Sequence, residues 1–343
     1  MSRPRRLLVL AEGRSGDPHF GKTARGVMRY RPDDIVALLD SQSDAGSVEG
    51  FPVVASVADA LPLEPTTALV GVATQGGRFP PSWRPILVEC LEAGLDLENG
   101  LHEFVSDDPE LVALAARHGA ELRDLRKPPA GLDVPSGANL THGATTILTV
   151  GSDCAIGKMT VSLELDREAQ RRGHRSEFVP TGQTGIAIAG WGIAVDAVVA
   201  DFIAGAAERL VVEGAARGGE VLFVEGQGSL LHPAYSGVTL GLIHGSAPHG
   251  YVLCHQAGET VVDGDQRFPI PPLADLVRLH EEISLLARPA KVYCIALNTR
   301  KLDDEAARRA VTETEAATGL PADDPVRFGA GKLVGSLAPL LQS

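Results

Sequence analysis

The chain has 343 residues, of which 44% are hydrophobic and 22% are charged, as is typical of a soluble globular protein with packed cores. Asp and Glu number 44 against 31 Lys and Arg, so the formal net charge is −13. A surface of that sign repels nucleic acid and anionic membranes, and we expect neither as a partner.

The beginning of the chain and its cysteines indicate the compartment. The apolar run at residues 7–11 is too short for a signal peptide or a membrane span. The four cysteines lie far apart, with no C-x-x-C and no histidine at metal-binding spacing. We therefore expect a cytoplasmic protein without disulfides and without a structural metal.

Strands and helices alternate along the first half of the chain. The predicted strands are residues 7–11, 35–39, 53–54, 68–72 and 96–98. The predicted helices are residues 23–30, 57–60, 83–93 and 109–118. Such alternation predicts α/β architecture with a parallel sheet between helices, here a Rossmann-like N-terminal domain over residues 1–130.

A segment rich in Pro and Gly, residues 131–143, predicts a linker between two domains. The alternation then restarts. The predicted strands of the second half are residues 147–150, 176–180, 197–199, 221–224, 250–254 and 291–297. They predict a doubly wound P-loop NTPase-like domain over residues 144–343, with ligands at the carboxyl edge of its sheet.

The most informative segment joins the first of these strands to a predicted helix at residues 161–171. Its glycines and lysine are typical of a phosphate-binding loop, in which backbone N–H groups and a helix dipole converge on an anion. The glycine spacing is one residue longer than in G-x-x-x-x-G-K-[ST] and resembles the loop of dethiobiotin synthetase. The expected cofactor-binding residues are Gly151, Ser152, Asp153, Cys154, Ala155, Ile156, Gly157, Lys158, Met159 and Thr160.

Two residues of this loop bear on its chemistry. Met159 stands where a hydroxyl normally binds Mg²⁺, and a thioether is a poor ligand for a hard cation. We therefore expect phosphate binding without a metal, and Mg-ATP only if the chain is an ATP-dependent ligase or kinase. Cys154 could act as a covalent nucleophile, although a passive loop position is the favoured interpretation.

Three residues are predicted to be catalytic. Glu225 follows the strand at residues 221–224, where P-loop proteins carry an acid, and it could serve as a base, an ammonium partner or an orienting group. His232 follows the same loop and is either a proton carrier or a structural histidine. Asp201 follows the strand predicted at 197–199 and is either a helix cap or a buried acid that faces the site.

Polar residues at other strand ends are predicted to bind the substrate. They are Thr181, Gln183, Thr184, Gln227, Ser229, Asn298 and Arg327. Arg327 could clamp a carboxylate with its guanidinium fork. The alternative for Arg327 is a surface ion pair with Asp323 or Asp324.

With these motifs assembled, the chain resembles a known family that pairs a Rossmann-like domain with a P-loop domain. Some members are D-glutamate N-acetyltransferases of D-amino-acid catabolism. The resemblance implies acetyl-CoA as the donor and an acidic amino acid as the acceptor. Arg14, Lys22 or Arg327 would then hold its carboxylates, and we also expect a homo-oligomer. The matching motifs are residues 100–104, 124–129, 151–160, 181–185, 201–202, 205–206 and 225–229.

Overall fold

The computed structural model describes residues 4–17, 21–72 and 74–341, so both predicted outer domain ends, residues 1 and 343, lie outside the described residues. The chain divides into two compact units. The first unit consists of Met1–Lys127 together with Gln183–Ala194. The second consists of Pro128–Gly182 and Val195–Ser343.

The first unit contains a seven-stranded sheet in the order β3-β4-β2-β1-β5-β6-β7. All neighbours pair in parallel except β3 and β4. The central strands are buried along their whole length, as expected where helices cover both faces of a parallel sheet. The strands are β1 (Leu7–Leu10), β2 (Ile35–Leu39), β3 (Ser47–Val48), β4 (Phe51–Val54), β5 (Thr67–Val70), β6 (Asp96–Asn99) and β7 (Leu122–Asp124).

The helices of this unit begin and end close to their predicted bounds. Before the fourth helix, the Asp108 carboxylate accepts the N–H groups of Glu110 and Leu111, and Gly119 ends that helix in the left-handed conformation. The last helix of the unit comes from the later segment of the chain. The helices are α1 (Lys22–Tyr30), α2 (Val57–Ala60), α3 (Arg84–Glu92), α4 (Pro109–His118) and α6 (Gln183–Ala189).

The second unit contains a six-stranded, fully parallel sheet in the order β13-β12-β11-β8-β10-β9. The strand predicted at residues 197–199 is wrong. This stretch holds a 3-10 turn, Val195–Ala197, and leaves the Val199 side chain 66% exposed. The strands are β8 (Thr145–Gly151), β9 (Ser176–Val179), β10 (Val221–Val224), β11 (Gly250–Gln256), β12 (Lys291–Asn298) and β13 (Ala322–Asp323).

The segment predicted as a linker, residues 131–143, is anchored within the second unit. The Glu208 carboxylate accepts the backbone N–H groups of Ser136 and Gly137 at 2.6 and 2.8 Å. Gly205 is required here, because a Cβ atom on it would lie 1.7 Å from the Asp133 carbonyl oxygen. The helices of this unit are α5 (Lys158–Arg171), α7 (Ile203–Ala216), α8 (Ser236–Ser246), α9 (Leu273–Glu282), α10 (Asp304–Thr318), α11 (Gly331–Ser336) and α12 (Ala338–Leu341).

Among the described residues, no helix is both long enough and apolar enough to cross a bilayer.

Candidate functional site: the phosphate-binding loop and its neighbours

The loop between β8 and α5 has the geometry of an anion cradle. Ala155 and Gly157 adopt positive φ values of 53° and 110°, which turn the chain sharply before the first turn of the helix. Within the described part of the chain, no backbone acceptor pairs with the N–H groups of Ala155, Ile156 and Gly157. These donors lie at the positive end of the dipole of α5, the arrangement that binds phosphate.

Lys158 is the first residue of α5 and is only 6% exposed. Its Nζ donates to the carbonyl oxygen of Asp153 at 2.6 Å. Its stem packs against two glycines: Cβ atoms on Gly151 and Gly226 would lie 3.3 and 3.1 Å from its Cδ. The loop therefore encloses the lysine stem and holds the ammonium within the cradle.

Side chains from neighbouring strands and loops hold the cradle in shape. The Ser152 hydroxyl and the His255 Nδ1 at the end of β11 are 2.8 Å apart. The Asn298 amide at the end of β12 donates to the Ile156 carbonyl oxygen at 3.0 Å. These contacts preorganise the loop without a ligand.

The residues that would hold Mg²⁺ in a P-loop protein do not fit that ion here. Met159 is half-buried and offers only a thioether. The acid at the end of β10, Glu225, is 5% exposed, and its Oε2 accepts the N–H groups of Thr181 and Gly182 at 2.9 and 3.1 Å. We therefore derive no step through a metal at this loop.

Glu225 and Thr181 form a reciprocal contact between the ends of β10 and β9. Besides the bonds to its carboxylate, the Thr181 hydroxyl donates to the Glu225 carbonyl oxygen at 2.7 Å. Of the roles open to Glu225 from sequence, this geometry favours the orienting one, because its carboxylate fixes the turn that follows β9. Its function as a base stays a prediction.

His232 comes close to the phosphate-binding loop, a relationship that the sequence did not reveal. One ligand-type atom from each of Asp153, Cys154 and His232 lies within 4.8 Å of the others. The His232 Nδ1 accepts the backbone N–H of Ala234 at 3.1 Å. Because a backbone N–H can only donate, the neutral ring carries its proton on Nε2 and offers a donor there.

The same contact bears on metal binding by these three residues. A neutral imidazole binds a metal through its only nitrogen lone pair, and in His232 the Ala234 N–H occupies that lone pair. Asp153 already accepts the N–H groups of Cys154 and Asp263, both at 2.6 Å. The cluster is therefore better described as polar support beside the anion cradle than as a metal centre.

Comparisons with known proteins identify the family. The P-loop domain of DUF1611, a domain of unknown function, matches residues 133–334, and the Rossmann-like DUF1611 N-terminal domain matches residues 40–128. The chain belongs to the DUF1611 family. The crystal structure of a DUF1611 protein from Anabaena variabilis ATCC 29413 is 42% identical, with a TM-score of 0.89 over 99% of this chain and 100% of that one.

Two relatives of this chain carry a name that refers to an activity. A D-glutamate N-acetyltransferase from Tritonibacter scottomollicae is 38% identical over 331 residues, which cover 96% of this chain and 98% of the relative. A D-glutamate N-acetyltransferase from a Pseudoalteromonas species is 35% identical over 283 residues, covering 82% of this chain and 84% of the relative. The predicted resemblance and the predicted pair of fold types are thereby confirmed.

In this DUF1611 protein, Asp201 occupies neither of its two predicted positions. It lies in a 3-10 turn, Ala200–Phe202, and is exposed to solvent, so it is not a buried acid. Helix α7 begins at Ile203 without a side-chain cap, so Asp201 is not its cap either. The strand that would have directed this carboxylate towards the sheet edge is absent, and a catalytic role loses its structural basis.

The polar loop predicted at residues 181–185 is divided between the two units. Thr181 belongs to the P-loop unit and bonds with Glu225, as described above. Gln183 and Thr184 begin α6 in the first unit, where the Thr184 and Thr23 hydroxyl oxygens are 2.9 Å apart. A substrate-binding role for Thr181, Gln183 and Thr184 stays a prediction.

The remaining predicted substrate ligands make internal contacts. The Gln227 carbonyl accepts the Thr239 hydroxyl at 2.8 Å, and the fully buried Ser229 hydroxyl accepts the N–H of Leu231. These bonds shape the loop after β10. The Asn298 side-chain amide donates to the phosphate-binding loop, so its N–H group is already engaged within the protein.

The Arg327 side chain forms its ion pair with neither Asp323 nor Asp324. Its guanidinium forms an ion pair with Asp304 and donates to the carbonyl oxygens of Thr299 and Leu302 at 3.0 and 2.7 Å. The side chain thus holds the loop after β12 against α10. The predicted ion pair with Asp323 or Asp324 is wrong because the partner carboxylate is that of Asp304, which sequence spacing does not indicate. The role of Arg327 as a clamp for a substrate carboxylate stays a prediction.

Proposed function

We propose that this protein transfers the acetyl group of acetyl-CoA to the amino group of an acidic amino acid such as D-glutamate. The observation that carries the proposal is the similarity to two D-glutamate N-acetyltransferases, one of them over 96% of this chain. The matched region includes both units, so the comparison is not limited to a shared P-loop.

The geometry of the phosphate-binding loop supports acetyl-CoA as the donor. Coenzyme A carries a pyrophosphate and a ribose phosphate, which need an anion cradle but no phosphoryl transfer. The N–H groups of residues 155–157 and the Lys158 ammonium supply such a cradle. Met159 is compatible with this ligand, because binding the phosphates of coenzyme A does not require a hydroxyl on Mg²⁺.

Acetyl transfer also needs a neutral amine and donors for the thioester oxygen as negative charge develops. The pantetheine arm between the pyrophosphate and the thioester is about as long as four extended residues, roughly 14 Å. The acceptor would therefore bind away from the cradle. His232, beside Cys154, is then suited to donate to a phosphate oxygen rather than to deprotonate the amine.

The test is direct detection of the product. Purified protein is incubated with acetyl-CoA and D-glutamate, L-glutamate or D-alanine, and N-acetylated product is measured by mass spectrometry together with released CoA thiol. We expect product with D-glutamate and little with D-alanine, which lacks the second carboxylate. Release of CoA thiol without an N-acetylated amino acid would contradict the proposal.

A parallel binding test separates this proposal from ATP-dependent chemistry. Thermal melting is followed with acetyl-CoA, with CoA, and with ATP in the presence and absence of Mg²⁺, since a ligand of the native state raises its melting point. We expect stabilisation by both CoA ligands. Stabilisation and hydrolysis of ATP that depend on Mg²⁺, without any response to acetyl-CoA, would favour a ligase or kinase instead.

A further inference from the structure

The first unit contains a cavity of about 430 Å³ that the phosphate-binding loop does not use. Its volume falls within the range of ordinary small-molecule sites. Ten of the described residues line it, and all of these belong to the first unit. Gly100, His102 and Arg126 among them come from two motifs that the sequence shares with its family but that no predicted role used.

The cavity lies where open α/β sheets bind their ligands. In this sheet β1 is flanked by β2 on one side and by β5 on the other. The chain passes from β1 to β2 and β4 towards one edge of the sheet, and from β5 to β6 and β7 towards the opposite edge. The lining includes Thr23 in the first turn of α1 and residues just after β5, β6 and β7. This position outside the carboxyl ends of the strands is the topological switch point.

The charge of the lining points to an anionic ligand. Arg126 contributes a guanidinium, and His102 contributes an imidazole. None of the ten residues that line the cavity is an acid, in a chain with a net charge of −13. The nearby buried acid of β6, Glu98, is neutralised by ion pairs with Arg5 and Arg123.

The side chains of Arg126 and His102 both contact backbone groups that hold them in place. The Arg126 Nε donates to the Gly100 carbonyl oxygen at 2.8 Å, which fixes the plane of the guanidinium beside the cavity. The His102 ring lies against Gly77, where a Cβ atom would be 2.5 Å from the ring Cδ2. Gly77 also has a positive φ of 66°, so a glycine is needed for this approach.

Hydroxyl and amide groups complete the polar lining. The Thr23 hydroxyl, 3% exposed as a residue, pairs with that of Thr184. Gln183 closes one side, and a Cβ atom on Gly100 would lie 3.2 Å from its Cγ. A guanidinium fork with neighbouring N–H, O–H and amide donors is the donor set that binds a carboxylate and orients it.

We propose that this cavity binds the acidic amino acid acceptor, with a carboxylate of the acceptor held by Arg126 and oriented by His102 and Thr23. This inference rests on the proposed function for the identity of the ligand. Under this proposal Arg126 binds the acceptor carboxylate, a role for which the family resemblance implied Arg14, Lys22 or Arg327. The phosphate-binding loop then serves the donor and the first unit serves the acceptor.

The experiment compares Arg126→Gln with Arg117→Gln. Arg117 is an exposed arginine in the last turn of α4 and gives the same change of charge away from the cavity. Initial rates are measured with D-glutamate varied at saturating acetyl-CoA, and then with acetyl-CoA varied at saturating D-glutamate. Loss of a charged hydrogen-bond partner should raise the KM for D-glutamate roughly 10- to 100-fold in Arg126→Gln and leave the KM for acetyl-CoA unchanged.

Two further variants guard against a folding defect. His102→Gln changes an exposed side chain, and Arg126→Lys keeps the charge while losing the fork. Both should raise the KM for D-glutamate with an unchanged melting temperature. An unchanged KM for D-glutamate in all three cavity variants, or a raised KM for acetyl-CoA instead, would overturn the site while the proposed function stands.

If the wild-type protein transfers no acetyl group, binding alone decides. D-glutamate is titrated calorimetrically into the wild-type protein and into Arg126→Gln, with and without CoA. Binding that Arg126→Gln abolishes and Arg117→Gln retains supports a carboxylate site independently of turnover. Equal binding to both variants, or no binding to the wild-type protein, rejects it.

Discussion

Lys158 donates a hydrogen bond from Nζ to the carbonyl oxygen of Asp153, 2.6 Å away and within the same loop. The bond directs the ammonium into the concave side of the loop, towards the region where the N–H groups of residues 155–157 lie. A lysine ammonium has three donors and acts as a compact point charge. The cradle therefore has its charge in place before any ligand arrives.

We expect Lys158→Met to weaken acetyl-CoA binding while the fold stays intact. The methionine stem can still pack against Gly151 and Gly226, but the charge-assisted contact to a phosphate is lost, at a cost of roughly 1.5–3 kcal/mol. Calorimetric titration with acetyl-CoA measures the change. Lys291→Met, at an exposed position at the start of β12, is the control, and equal affinities in the two variants would remove the anion-cradle model.

Met159→Thr should retain acetyl transfer and gain affinity for Mg-ATP. The substitution restores a hydroxyl at the position where P-loop proteins bind Mg²⁺. Met159→Leu is the matched control, because it keeps an apolar side chain without a hard ligand. The measurement is the shift in melting temperature with ATP, with and without Mg²⁺; a shift of equal size in the wild-type protein would show that the metal-free interpretation is wrong.

Much of the fold follows from local sequence. Strands β2 and β10 begin and end where predicted, because each is a short apolar run bounded by polar or turn-forming residues. The phosphate-binding loop was found for the same reason, since its glycines, lysine and flanking elements are contiguous. Residues 197–199 were predicted incorrectly because the apolar run to which they belong, residues 197–200, is too short to distinguish a strand from an exposed turn.

The candidate site was predictable only where its residues are neighbours in sequence. His232 and Cys154 approach each other because β8 and β10 are adjacent in the sheet, and strand order is not written in either segment. Gln183 and Thr184 were assigned to the P-loop domain by continuity, but α6 packs with α1 in the first unit. The position of Arg126 at a cavity could not be predicted, because a single arginine near a proline-rich segment gives no local signal of one.

The protein should lose stability as the pH falls from about 6.5 towards 4. Burial lowers the pKa of His255 and of His280 to about 4, and burial with the Arg288 charge does the same for His249. Between pH 6.5 and about 4, these histidines bind protons in the unfolded chain but stay neutral in the folded chain, so protonation favours unfolding. Burial also raises the pKa of Asp166, to about 6, and that of Asp323, and both carboxyls act in the opposite sense. Burial lowers the pKa of His142 as well, so four histidines act against these two carboxyls.

Melting temperatures at pH 7 and pH 5 test this, with His280→Leu as the informative variant. His280 Nε2 is buried without a hydrogen-bond partner among the described residues, whereas Nδ1 donates to the Leu276 carbonyl oxygen at 2.8 Å. Replacing the ring at pH 7 therefore removes one hydrogen bond together with one unsatisfied buried polar atom. We expect a smaller loss of melting temperature at pH 5 than in the wild-type protein. His118→Leu, at the exposed end of α4, should behave as wild type, and an unchanged pH dependence in His280→Leu would contradict the argument.

Glu225→Gln should lower kcat with little change in acetyl-CoA affinity. Glutamine can still accept an N–H from Thr181 or Gly182, but it lacks the charge that strengthens both bonds. If Glu225 orients the turn, the melting temperature falls together with kcat, whereas the pH profile of kcat keeps its shape. Loss of the acidic-limb ionisation from that profile, at an unchanged melting temperature, would instead identify Glu225 as the general base.

His232 is tested by two substitutions that differ in what they retain. The Ala234 N–H occupies Nδ1, so the neutral ring presents an N–H at Nε2, and the amide of a glutamine can place a donor near that position. We expect His232→Gln to keep most of the activity and His232→Ala to lose it, with acetyl-CoA affinity following the same order if the donor contacts a phosphate. A general base should be worth ~10²–10⁴ in rate, and neither variant could replace it. A fall of that size in both variants, with unchanged acetyl-CoA affinity, would therefore restore His232 as the base and show that the ring must release Ala234 during turnover.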